Sequence, residues 1–128
     1  MELIVACATD DGMHFTERHF GDALKYDIYR CDSKQCTKID EVINTTEEEL
    51  QHADPVKAKG IVSLLVEKHV NVGMTIVFGP NIKRVKKNFV PVFAGCSRID
   101  EAINKLINHH EQVCEMWEQG ENREHCRI

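Results

Sequence analysis

Residues 10–21 read Asp10-Asp11-Gly12-Met13-His14-Phe15-Thr16-Glu17-Arg18-His19-Phe20-Gly21, directly after the apolar run Leu3-Ile4-Val5-Ala6-Cys7-Ala8. A short run rich in β-formers, closed by Asp-Asp-Gly, predicts a buried strand over residues 2–9 and a turn at its carboxyl end. His19 then sits on a loop past that end, followed by an apolar anchor and a glycine. Open α/β sheets hold their ligands at this position, and neutral imidazole is a common metal ligand. The stretch therefore points to a binding site before it points to an enzyme.

Working outward, residues 24–31 and about 36–44 read as two more strands, joined by the turn Asp32-Ser33-Lys34-Gln35. The short connections predict an antiparallel meander. Asp54-Pro55 has the form of an N-cap with proline at the first helical position, opening a helix to about His69. Residues 70–78 predict an apolar strand ending at Gly79-Pro80, Asn81 a cap for a short helix to about Asn88, and residues 90–94 a strand placed at the sheet edge by Pro91. Gly95-Cys96-Ser97 ends that strand, and Ser97 can cap a last helix whose apolar stripe runs from Ile99 to Trp117 at 3.6-residue spacing. The order βββαβαβα predicts an α/β domain over residues 1–119, with a five-stranded mixed sheet flanked by helices on both faces. Residues 120–128 form a charged tail, expected to be frayed.

The chain has 128 residues, 42% hydrophobic and 29% charged, which suits one globular domain. No apolar run approaches the roughly 20 residues that span a bilayer. The N-terminus lacks the pattern of a signal peptide. The expectation is a cytoplasmic protein that does not bind membranes. The net charge is −5 and the one basic run, Lys83-Arg84-Val85-Lys86-Lys87, reads as the solvated face of a short helix. Nucleic acid is therefore not an expected partner. Six cysteines and seven histidines are a rich supply of metal ligands. In a reducing compartment they favour metal or redox chemistry over a disulfide framework.

If strands 1, 4 and 5 are parallel, their carboxyl edge collects residues 10–21, the loop with His52, the Gly79-Pro80-Asn81 turn and Gly95-Cys96-Ser97. Three helices begin there, near Asp54, Asn81 and Ser97. Helix N-termini favour an anion, with His14, His19, His52 and Cys96 as candidate direct ligands. The opposite edge collects Cys31 and Cys36, with Cys114, His125 and Cys126 as further residues that could complete a zinc site. The competing reading makes Cys7, Cys31 and Cys114 small buried apolar residues, His110 a satisfied core histidine, and His69, His109 and His125 solvated. Asp10 and Asp11 could hold divalent metals for phosphoryl chemistry or simply form the turn. His19 has its own structural alternative, a loop histidine bonded to nearby backbone beside a Phe20 that plugs the core. Nucleophile elbows, Walker loops and Cys-x-x-Cys pairs are absent.

Strand–Asp11-Gly12–loop–His19-Phe20-Gly21–Ala23 followed by Tyr26-Asp27-Ile28-Tyr29 resembles the nitrogenase iron-molybdenum cofactor carrier family, which includes the molybdenum-copper orange protein. The resemblance continues through Val70-Asn71-Val72-Gly73, Gly79-Pro80-Asn81 and Ile99-Asp100-Glu101-Ala102-Ile103, covering about residues 3–107. It implies an RNase H-like fold and a bound metal-sulfur cluster or precursor containing iron, alone or with molybdenum or copper. His19 would be the chief contact, with Phe20, Gly21, Gly79, Pro80, Asn81 and Ser97 around the cluster and His19, His52 and Cys96 as metal ligands. Many small relatives have a Gly/His-rich loop before the first helix. Here that loop is Glu47-Glu48-Glu49-Leu50-Gln51-His52-Ala53-Asp54, and only His52 can serve.

The first expectation is a non-enzymatic carrier, monomeric or weakly dimeric, that takes an anionic cluster from a donor protein and gives it to an acceptor. The alternative is an interaction or regulatory module that keeps the fold without the cluster. A third reading is a two-metal phosphoryl enzyme using Asp10, Asp11 and an acidic loop residue.

Overall fold

A computed structural model describes residues 1–44 and 60–128 of the chain, with the Asn81 side chain left aside. The predicted cap at Asp54-Pro55 and the candidate ligand His52 lie outside the described residues.

The strands are β1 (Leu3–Thr9), β2 (Lys25–Cys31), β3 (Cys36–Ile43), β4 (Val72–Thr75), β5 (Val90–Phe93) and β6 (Cys126–Arg127). The helices are α1 (Gly60–Glu67), α2 (Ile82–Asn88), α3 (Ile99–Asn108) and α4 (His110–Glu118), counted among the described residues. The sheet order is β3-β2-β1-β4-β5-β6. The meander β1-β2-β3 is antiparallel, and β4, β5 and β6 extend β1 in parallel. The mixed α/β sheet agrees with the order of elements in the sequence.

Alternation sorts the side chains between two cores. Leu3, Val5 and Cys7 of β1, Val72 and Met74 of β4, and Val90 and Val92 of β5 share one face with Ile99, Ala102, Leu106, Val113 and Met116 of α3 and α4. Ala6 and Ala8 share the other with Tyr26, Ile28, Phe20, Phe78, Ile61 and Leu65. The small residues of β1 on this second face leave room for the large rings of its neighbours. The basic run lies on α2, where Val85 is buried and Lys83, Arg84 and Lys87 are exposed.

Several expectations change. Among the described residues the sheet has six strands rather than five, because Cys126 and Arg127 pair with Val92 and Phe93. The tail is thus docked, not frayed. Arg123, 8% exposed, anchors it by donating to the carbonyls of Trp117, Lys86 and Lys87 at 3.0–3.1 Å, and its guanidinium lies 4.2 Å from the Trp117 ring centre. Pro91 is therefore not on an edge strand, although it lies just before the two residues that β6 pairs. Val90 and Ala94 both donate towards β4, so the nitrogen of Pro91 faces the other way and costs no ladder bond. The strand expected over residues 70–78 is regular only over Val72–Thr75.

The last helix breaks at His109 (φ −109°, ψ 12°). A straight helix over residues 99–117 would run about 28 Å, beyond the about 23 Å of β1, the longest parallel strand. The bend keeps Val113 and Met116 on the sheet and brings His110 Nε2 within 2.7 Å of the Met1 carbonyl, so His110 is a satisfied core histidine. Ser97 is not the cap of α3. Arg98 holds that position, with no side-chain cap bond. Asn81 belongs to a 3-10 turn, Gly79–Asn81, that runs into α2.

The cysteine-zinc expectation also fails. Cys31 and Cys36 are cross-strand partners joined by a disulfide. Cys126 lies on β6, four strands from Cys31 and hence about 19 Å away at 4.8 Å per strand. Cys7 and Cys126 are buried free thiols, and burial pushes both up from the ordinary thiol range, for Cys7 with help from the Asp27 carboxylate. Cys114 is a half-buried thiol 3.4 Å from His110 Nε2.

Candidate functional site

β1 runs into an antiparallel meander on one side and a parallel series on the other, so the strand order reverses between β1 and β4. A crevice opens at such a switch point, outside the carboxyl ends of the two strands. The loops that meet there are residues 10–24 after β1 and residues 76–81 after β4.

The first loop is held by its two aspartates. Asp10 accepts hydrogen bonds from Leu24 N at 2.9 Å, Thr16 Oγ1 at 2.9 Å and Arg18 Nη2 at 3.3 Å. Burial pushes its carboxyl up, but these bonds together outweigh burial and hold it below the usual range. Asp11 accepts from His14 N and Met13 N at 2.8 Å and lies 2.7 Å from His14 Nδ1. The His14 N–H, the His14 ring and the Met13 N–H hold its carboxyl well below the usual range. Both carboxylates thus serve the loop, as the turn reading requires. His14 is tied to Asp11, and its backbone bridges to Arg98, which sets it against the residue 97–99 segment rather than against His19.

The second half of the loop turns towards β4. Phe20–Asp22 forms a 3-10 turn, in which Asp22 N donates to His19 O at 2.9 Å. Phe20 is buried, its ring 5.2 Å from Tyr26 and 5.3 Å from Phe78. Tyr26 Oη donates to the Phe20 carbonyl at 2.6 Å, and burial raises the Tyr26 hydroxyl above its ordinary range. Asn44 Nδ2 donates to the carbonyls of Gly21 and Ala23 at 2.9 Å.

His19 is thereby laid flat against Gly79. A Cβ at Gly79 would stand 2.5 Å from Nδ1, 2.6 Å from Cγ and 2.8 Å from Cε1 of the imidazole. Gly79 also has φ +71°, where only glycine is unstrained. Phe20 likewise sits over Gly73, where a Cβ would come within 3.0 Å of Cζ. Gly21 has no such neighbour within 4 Å, so the fold does not demand glycine there. The imidazole is half exposed, and Asp22 Oδ2 lies 3.9 Å from its Nδ1.

The structure thus brings together His19, Phe20, Gly79, Pro80 and Asn81. Cys96 and Ser97 belong to a neighbouring groove at the carboxyl end of β5. That groove, about 610 Å³, is lined by Ile76, Phe93, Ala94, Gly95, Cys96, Ser97, Arg127 and Ile128. Cys96 is half-buried with Sγ 3.6 Å from the Arg98 carbonyl, and exposed Ser97 accepts Phe15 N at 2.9 Å. The two regions are linked by rings: Phe78, next to Gly79, lies 4.8 Å from Phe93. Among the described residues no three His, Cys, Asp or Glu side chains converge as a metal-ligating group.

Two features escape a reading of the sequence. Asp27 is completely buried on β2, opposite Cys7, with the ammonium groups of Lys25 and Lys38 at 3.3 and 3.6 Å and no hydrogen bond to either carboxylate oxygen. Strict alternation from Tyr26 and Ile28 would have placed it on the face of Cys7. The second is the ring pair Phe78–Phe93 with Arg127 above it, since a charged tail carries no pattern that predicts a strand.

A family model described as dinitrogenase iron-molybdenum cofactor matches residues 1–109. No curated protein matches the chain. Among the described residues no helix is long and apolar enough to cross a membrane.

Proposed function

This chain belongs to the dinitrogenase iron-molybdenum cofactor family, and from that premise we propose that it binds and delivers an anionic metal-sulfur cluster or its precursor without catalysing a reaction. The observation that carries this reading is His19 seated on Gly79 at the switch point, half exposed and backed by buried Phe20. Such an imidazole is held in place by its neighbours yet open to a ligand. The sheet order β3-β2-β1-β4-β5 supports an RNase H-like fold. That fold carries no implication of nuclease activity, and Asp10 and Asp11 already hold the loop.

In this account His19 supplies an imidazole ligand to iron, molybdenum or copper, and the Gly79-Pro80-Asn81 turn forms the wall beneath it. Cys96 offers a thiolate from the adjoining groove. Few covalent ligands suit a cargo that must pass from a donor protein to an acceptor in the cytoplasm.

The test is anaerobic purification followed by elemental analysis, sulfide determination and an absorption spectrum. The expected result is bound iron or molybdenum with inorganic sulfide and visible charge-transfer bands. A colourless protein that takes up no metal on reconstitution, yet copurifies with one partner, would favour an interaction module of the same fold.

A further inference from the structure

The family model ends at residue 109, but the chain beyond it returns to the carboxyl edge of the sheet. Arg123 ties the end of α4 to the end of α2, and β6 then pairs with β5. This places Arg127 opposite Phe93, its guanidinium 4.3 Å from the ring centre, while His125 meets the same ring edge-on at 5.3 Å. Phe93 in turn touches Phe78, the residue before Gly79.

Among the described residues Arg127 has no ion-pair partner. Arg18 and Arg98, the other arginines of these edge segments, are paired with Asp10 and Asp100. A guanidinium held over an aromatic ring still has N–H groups to offer an anion and loses little further freedom on binding it.

Resting on the carrier reading, we propose that Arg127, delivered by β6, is an anion-binding residue of this site, donating hydrogen bonds to sulfide or oxo edges of the cargo. The cargo would lie along the carboxyl edge, from the turn that seats His19 to the groove that Phe93 and Arg127 line. The site is then completed by a segment outside the part the family model matches.

The probe is tetrathiomolybdate, a sulfur-edged dianion, titrated anaerobically by its visible absorption. Arg127→Gln should weaken binding about tenfold, the worth of one charge-assisted hydrogen bond, and should flatten the dependence of affinity on ionic strength. Arg127→Lys should recover part of the loss. Alkylation of Cys126, which is 3% exposed, reports whether β6 stays docked. Should it react faster in Arg127→Gln, Arg127→Met replaces it, keeping a long side chain over Phe93 without the charge. Wild-type affinity that ignores ionic strength overturns the proposal under any variant. Wild-type affinity in Arg127→Gln with Cys126 protected, alongside loss of binding in His19→Ala, overturns the role of Arg127 and leaves the carrier reading intact. No binding by the wild-type chain overturns both.

Discussion

Gly79→Ala is the sharpest structural perturbation of the site, because two independent effects meet at one position. The first is backbone strain. At φ +71° an alanine costs about 1–2 kcal/mol relative to glycine, a fall of about 3–8 °C in Tm for a domain of this size. The second is displacement. The new methyl would stand 2.5–2.8 Å from three atoms of the His19 ring, so the imidazole must leave its seat. The ring is half exposed and can swing outward, so displacement should move His19 at little further cost in stability. Gly73→Ala makes the opposite contrast. Its Cβ would meet Phe20 at 3.0–3.2 Å, and buried Phe20 cannot yield, so overpacking should cost about 1–3 kcal/mol. Gly21→Ala meets nothing within 4 Å and should stay within about 0.5 kcal/mol of wild type. Chemical denaturation gives the stabilities, and imidazole nitrogen–proton correlation spectra follow His19. Gly79→Ala with unchanged His19 resonances and unchanged probe binding would refute the placement of the ring on the turn.

Tyr26→Phe removes the hydroxyl that donates to the Phe20 carbonyl. Unfolding should become easier by about 0.5–1.5 kcal/mol, and wild-type stability in urea would mean the bond is not made. Asp10, whose carboxyl is held below its usual range, stabilises the loop fully above the unfolded carboxylate value of about 4. That contribution is lost as pH falls through the lower folded value, so Asp10→Asn should show a weaker loss of stability towards acid than wild type. An identical acid limb would contradict it. Thiol titration of unfolded, unreduced protein should find four groups, Cys7, Cys96, Cys114 and Cys126. Reducing the Cys31–Cys36 bond, which spans a sequence separation of 5, should cost about 2 kcal/mol in the chain-entropy model. Six thiols would mean the bond does not form.

What was legible in the sequence was local and strongly patterned. The run Leu3–Ala8 closed by Asp-Asp-Gly marked β1 and its carboxyl edge, and the crossover rule then set β4 and β5 parallel to it. The edge that gathers the candidate ligands followed from topology alone. The pairing of His19 with Gly79 did not, because it joins residues 60 apart through a backbone turn that any Gly-Pro can make. The break at His109 was hidden because the apolar stripe continues through it. β6 was invisible because two residues carry no period, and its docking depends on Arg123 reaching carbonyls on another helix. His14 was placed with the ligands although Asp11, three residues earlier, could claim its ring, a spacing the sequence displays.

The central claim is that His19 holds the cargo, and the most direct measurement is the visible absorption of anaerobically reconstituted protein, wild type against His19→Ala. His19 is half exposed, and Asp22 Oδ2 stands 3.9 Å from its Nδ1, so the variant should fold with near-wild-type stability. The charge-transfer bands and the bound metal should be lost in His19→Ala while its denaturation curve stays close to that of the wild type. Full absorbance and metal content in that variant would contradict the account.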